Sequence, residues 1–302
     1  MLVLQAFKDA IPSTWKSASW LLQLMIPISL AVTLLKYFGV LAWLAQYLNP
    51  LFVHLGLPGS SAVIFISGAA AGTYAGLAAM MSVELTLREA TILGIMIALC
   101  HALPMECTVN KKTGSSFWGM AVIRLIAAFL CAYLLNMWLA PNDTPYIYVG
   151  ASADSTLSEV IYTWIWSQVK MAAMVFAIIY LLMVVQKLIE MFHLMQKLTR
   201  LFAPLMTLFG LPQNVAYMWL VGNVLGLSYG SAVMLELEEK GMISREEADA
   251  VNYHLIMNHS LLEDTIVLAS TGIPALLLVA VRIGFATVIV WLRRGFQTLF
   301  HQ

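Results

Sequence analysis

Residues 117–140 read FWGMAVIRLIAAFLCAYLLNMWLA, and Arg124 is their one charge. As a helix at 1.5 Å per residue the run is about 36 Å long, enough to cross a hydrocarbon core of about 30 Å. Inside a bilayer the backbone has no water to bond, so a run of this kind must satisfy its own hydrogen bonds as a helix. Apolar runs near 18–38 and 60–82 make the same demand. Of the 302 residues, 61% are hydrophobic and 11% charged. Soluble domains hold about 45–50% and about 25%. The expected class is an all-α integral membrane protein crossing the bilayer several times. The zero net charge offers nothing to nucleic acid or to an acidic partner. Cys100, Cys107 and Cys131 lie in or beside apolar segments and suit neither a disulfide framework nor a zinc finger. Lys8 and Lys16 precede the first apolar run, and no small-residue cleavage site follows, so that run reads as a retained span.

An internal repeat organises the rest. NPLFVHLGLPGSS at 49–61 matches APLMTLFGLPQNV at 203–215. Pro50, Leu51, Gly56, Leu57 and Pro58 pair with Pro204, Leu205, Gly210, Leu211 and Pro212 at a constant offset of 154. The same offset pairs Gly68, Gly72 and Gly76 with Gly222, Gly226 and Gly230. Beyond an acidic insertion near Glu238 and Glu239 the offset becomes 158. It then pairs Glu89 with Glu247, His101 with His259, Glu106 with Asp264, and Arg124 with Arg282. The expected organisation is a first repeat over 1–141, an extracytoplasmic linker over 142–161 and a second repeat over 162–302.

Basic residues mark the cytoplasmic side. Lys8 and Lys16 place the N-terminus inside, and Lys111 with Lys112 place the loop before 117–140 inside. The linker, without Lys or Arg, faces out. Lys187, Lys197 and Arg200 lie inside, loop 263–274 carries only acids and faces out, and Arg293 with Arg294 place the C-terminus inside. Each loop of the second half then sits opposite its partner in the first. That is an inverted-topology repeat, an architecture of many secondary transporters. Each half must cross an odd number of times. The segment 89–105, with about 15 residues before Pro104 and roughly 22 Å of helix, is too short to span. It and 247–262 are expected to be re-entrant or broken helices, tolerated at membrane depth only where protein or a wet cavity surrounds them.

Polar residues in such segments are functional candidates. His101 with Glu106, and His259 with Glu263 and Asp264, recur in both halves. Five residues of separation do not put two side chains on one face of a straight helix, so a break near Pro104 or Leu262 is needed to bring them together. The alternative is that the acids are surface loop residues and the histidines packed helix contacts. Arg124 and Arg282 lie about eight residues into their apolar runs. Each either snorkels to the interface or finds an anion, in Glu106 or Asp264 or on a solute. The glycines of GAAAGTYAG (68–76) and GNVLGLSYG (222–230) fall every fourth residue on one helix face, where backbones can approach closely. A compatible, sharper reading adds exposed backbone with Thr73, Tyr74, Asn223, Ser228 and Tyr229 lining a solute site. His, carboxylate, Met105, Cys100 and Cys107 are transition-metal donors. There is, however, no HExxH and no CxxC, and no recognisable nucleophile motif.

The duplicated layout, GLP followed by glycines at every fourth position and then a histidine and an acid, resembles the nucleoside-recognition or Gate domain family. That group includes spore-maturation membrane proteins and is related to the membrane parts of ferrous-iron transporters and nucleoside symporters. The resemblance covers nearly the whole chain as two Gate-like repeats and implies a permease-like fold. The expected function is a multi-pass secondary transporter of the cell inner membrane with both termini cytoplasmic. It would move a small polar, even anionic, solute by alternating access. A divalent metal-ion permease and a non-transporting scaffold or subunit of a larger complex are the rival readings. The expected solute-binding set is His101, Glu106, Arg124, Asn223, Ser228, Tyr229, Asn258, His259, Glu263, Asp264 and Arg282. Gly68, Gly72, Gly76, Gly222, Gly226 and Gly230 are expected at close helix approaches. No catalytic residue, enzyme activity, metal ligand or cofactor is assigned, and the coupling ion would be H+ or Na+. Expected partners are the lipid bilayer, a small-molecule solute or ion, and a second copy or second membrane subunit, with no nucleic acid.

Overall fold

The computed structural model of the chain describes residues 2–147 and 155–300. It is helical throughout, with fourteen α-helices among the described residues. Five stretches are long and apolar enough to cross a membrane: Val3–Tyr37, Leu87–Lys112, Phe117–Trp138, Leu157–Met191 and Ala275–Leu299. The all-α membrane reading therefore holds. The middle of the linker, residues 148–154, lies outside the described residues. Its start is strapped to the first half, because Leu87 N donates to Thr144 O at 2.7 Å and Tyr146 N to Leu85 O at 2.9 Å.

The first helix, α1 (Leu2–Tyr37), begins well before the expected span at 18 and carries Pro12 and Pro27 inside it. A proline removes one ladder hydrogen bond, yet the helix runs on through both prolines, as membrane helices tolerate. The first half continues with α2 (Val40–Val53), α3 (Ser61–Ala71), α4 (Thr73–Met81), α5 (Leu87–Cys100), α6 (Leu103–Lys112) and α7 (Phe117–Trp138). The second runs α8 (Leu157–Met191), α9 (Leu194–Leu208), a single 3-10 turn, α10 (Ala216–Val224), α11 (Leu227–Glu239), α12 (Arg245–Asn258), α13 (Leu261–Ala269) and α14 (Ala275–Phe300). Residues 263–269, expected in a surface loop, are helical.

The centre is α5, buried at every position from Ala90 to Cys100. It packs on α7, as α12 packs on α14, and the long α1 and α8 lie against each other outside them. Both central helices start at capping boxes. Thr86 N donates to Glu89 Oε2 at 2.7 Å while Glu89 N donates to Thr86 Oγ1 at 3.2 Å. Ser244 and Glu247 repeat the arrangement at 2.7 and 3.1 Å. Each box satisfies two backbone donors that the first turn leaves free.

The glycine ladder differs from the single helix face expected of it. Gly72 (φ 109°, ψ 174°) and Gly226 (φ 91°, ψ 166°) interrupt their helices in backbone conformations that favour glycine. The flanking glycines meet because the two half-helices fold toward each other. A Cβ on Gly76 would stand 3.1 Å from Gly68 Cα and 2.8 Å from Ile97 Cδ1. One on Gly230 would stand 3.0 Å from Gly222 Cα, and one on Gly222 would stand 2.6 Å from Leu255 Cδ1. The close approach is between α3 and α4, and between α10 and α11, with α5 and α12 pressed onto them.

Candidate functional site

Each central segment breaks at its histidine. Helix α5 ends at Cys100, His101 is extended (ψ 161°), Ala102 is left-handed (φ 44°, ψ 38°), and α6 starts at Leu103. Helix α12 ends at Asn258, His259 is extended (ψ 159°), Ser260 is left-handed (φ 51°, ψ 31°), and α13 starts at Leu261. A left-handed non-glycine costs about 1–2 kcal/mol, so the surroundings must hold it. Ala102 N donates to Gly68 O at 3.0 Å and Ser260 N donates to Gly222 O at 3.1 Å. The proline of the first copy, Pro104, sits in the opening turn of α6, where a missing N–H costs nothing. Each histidine break is thus anchored to the helix that the neighbouring glycine break ends.

The two breaks meet. His101 and His259 are buried, and their Nε2 atoms lie 3.1 Å apart while the ring centroids are 5.0 Å apart, so the Nε2 corners face each other. Glu106 Oε1 lies 3.1 Å from His101 Nε2 and 2.9 Å from His259 Nε2. Its other oxygen accepts from Arg124 Nη1. Arg124 is fully buried and also donates through Nε to Leu99 O at 2.8 Å. Arg282, equally buried, faces Asp264 Oδ2 at 3.1 Å, donates through Nε to Met257 O at 3.1 Å and through Nη2 to His259 O. Thr73, the first residue of α4, donates to Asp264 Oδ1 at 3.0 Å, and the next residue, Tyr74, donates to Glu263 Oε1 at 3.0 Å. The first-turn acids of α6 and α13 also face the positive ends of their own helices.

Of the solute-binding set, the structure gathers His101, Glu106, Arg124, His259, Glu263, Asp264 and Arg282. The acids are not surface residues: Glu106 and Asp264 are each 5% exposed. The arginines do not snorkel. Each takes its anion from the protein. Asn223 stands apart, donating to Trp219 O at 2.9 Å, one turn back in α10. Asn258 is buried as the last residue of α12. Tyr229 is 66% exposed, away from the cluster, and the side chain of Ser228 lies outside the described residues. Thr73 and Tyr74, expected beside a solute site along a continuous glycine-ladder helix, do join this cluster, but as the first residues of a new helix that begins after Gly72.

Nδ1 of His101 lies 3.1 Å from Ile97 O, and Nδ1 of His259 lies 2.9 Å from Leu255 O. A carbonyl only accepts, so each Nδ1 carries a hydrogen, and in the neutral form of each ring Nε2 presents a lone pair. Two imidazole lone pairs and a carboxylate oxygen therefore converge within hydrogen-bonding distance. That arrangement attracts a positive charge, and among the described residues His101, His259 and Glu106 form a group able to hold a metal ion.

Residues 18–128 match the Gate family model, described as nucleoside recognition. The chain is 27% identical over 277 residues, 90% of its length, to the uncharacterized membrane protein YvoD of Bacillus subtilis (strain 168), of which the match covers 88%. No solved structure matches.

Proposed function

We propose that this Gate-domain membrane protein is a permease. A small polar solute or ion would cross between its two halves, bound where their helix breaks meet, and the inverted repeat would allow alternating access by rocking one half against the other. One observation supports this above the rest: both halves contribute to one buried cluster of ionisable groups inside apolar helices. Each such group costs about 2.5–3.5 kcal/mol to place in a membrane helix. A scaffold gains nothing from that cost. Charges buried at interrupted helices are instead characteristic of substrate and ion pathways. The arginines already face carboxylates of the protein, which favours a neutral or cationic solute over an anionic one. The basic residues at both ends support cytoplasmic termini, and the cell inner membrane is the proposed location.

The test is solute counterflow in proteoliposomes against nucleosides, amino acids, organic acids and divalent cations. Saturable flux of at least one class, absent from protein-free vesicles and from Glu106→Gln, is expected. Flux that never exceeds protein-free vesicles would overturn the permease and leave the scaffold reading.

A further inference from the structure

We infer that His101, His259 and Glu106 form a binding site for a divalent transition-metal cation. The three ligand atoms form a triangle with edges of 2.9, 3.1 and 3.1 Å. For metal–ligand bonds of about 2.1 Å, neighbouring ligands of an octahedron lie about 3.0 Å apart and those of a tetrahedron about 3.4 Å. The edges fit one face of an octahedron, the arrangement of two histidines and a carboxylate that leaves the other positions open. Both rings are already oriented for the task, because a ligating histidine gives its second N–H to a carbonyl or carboxylate, as both do here. Glu106 is fixed in turn by Arg124. Two nitrogen donors and one oxygen suit Mn2+, Fe2+, Co2+ or Zn2+; Mg2+ and Ca2+ prefer oxygen alone.

Charge points the same way. Glu106 faces Arg124 and Asp264 faces Arg282, while Glu263 beside them accepts from Tyr74. With neutral histidines the formal sum is one negative charge. A divalent ion would bring the cluster to one net positive charge. Open coordination positions fit an ion that must also leave. Assigning the ion as cargo rests on the permease reading; the site itself does not.

The full chain, purified on a histidine-free affinity handle, is equilibrated with Co2+ by dialysis and examined by X-ray absorption at the cobalt edge. One Co2+ per chain is expected, retained in excess Mg2+, with two imidazoles in its shell. His101→Gln and His259→Gln should each weaken binding more than ~100-fold, beyond the ~10–100-fold loss of an outer-shell partner. Absence of bound Co2+, binding unchanged in both variants, or a shell without imidazole would overturn the site and leave protons to occupy the cluster. The wild-type spectrum decides even if a variant fails to fold. Co2+ binding without Co2+ flux keeps the site and removes the ion as cargo. Flux of another solute without Co2+ binding removes the site and keeps the permease.

Discussion

The two halves repeat their backbone breaks closely, yet they do not contribute equally where they meet. Glu106 spans the meeting point: one oxygen faces both histidines and the other takes Arg124. Asp264, its counterpart, is one methylene shorter. Its nearest histidine contact is 3.8 Å from His101, and it is held by Thr73 of the first half. The arginines differ to match. Arg282 has two backbone carbonyls beside Asp264, whereas Arg124 has one beside Glu106. Two halves with matching backbone breaks thus meet in one asymmetric cluster, and the difference in length between Glu106 and Asp264 is part of that asymmetry. The central helices diverge too. Buried α5 is apolar over most of its length, while α12 buries Asn252, His254 and Asn258.

The sharpest way to break this comparison is to neutralise each acid. Glu106→Gln leaves Arg124 buried without its anion and should cost about 3–5 kcal/mol of unfolding free energy. Asp264→Asn should cost clearly less, because Arg282 keeps its two carbonyls. Equal losses by equilibrium unfolding in mixed micelles would mean that the halves are equivalent. Replacing the pair together, as Glu106→Leu with Arg124→Met, should recover most of the single loss, since a packed apolar pair can substitute for a buried ion pair.

Glycines test the shared part of the scaffold. Gly76→Ala and Gly230→Ala each drive a methyl to within 3.1 Å of a backbone Cα across their break, so both should destabilise by about 1–3 kcal/mol, the usual range of overpacking. A harmless Gly230→Ala beside a costly Gly76→Ala would show that the second-half hairpin is looser. Smallest of all, Thr86→Ala and Ser244→Ala remove equivalent N-caps and should each cost about 1 kcal/mol, visible as small and similar shifts in Tm.

Much of this architecture was legible in the chain. Apolar runs compelled helices, and the short segment before Pro104 anticipated a break near His101. The constant offset carried that break to His259, which has no proline nearby. What escaped was tertiary. Equal spacing of histidine and acid in both copies suggested two similar pairs, one per half. Only the packing of the breaks against each other makes Glu106 serve both histidines. Gly72 and Gly226 were misleading for a physical reason: glycine every fourth residue marks a close-packed helix face, yet the same residue permits the backbone that ends the helix. The lengths of Glu and Asp were plainly written in the sequence, but their consequence depends on distances that no periodicity encodes.

The most direct test of the shared cluster is a double-mutant cycle between Glu106 and His259, which lie in different halves and 2.9 Å apart. Unfolding free energies of the wild type, Glu106→Gln, His259→Gln and the double variant should reveal a coupling of about 1 kcal/mol or more, as residues in contact do. Additive effects, within the ~0.5 kcal/mol typical of independent sites, would contradict a site built across the two halves.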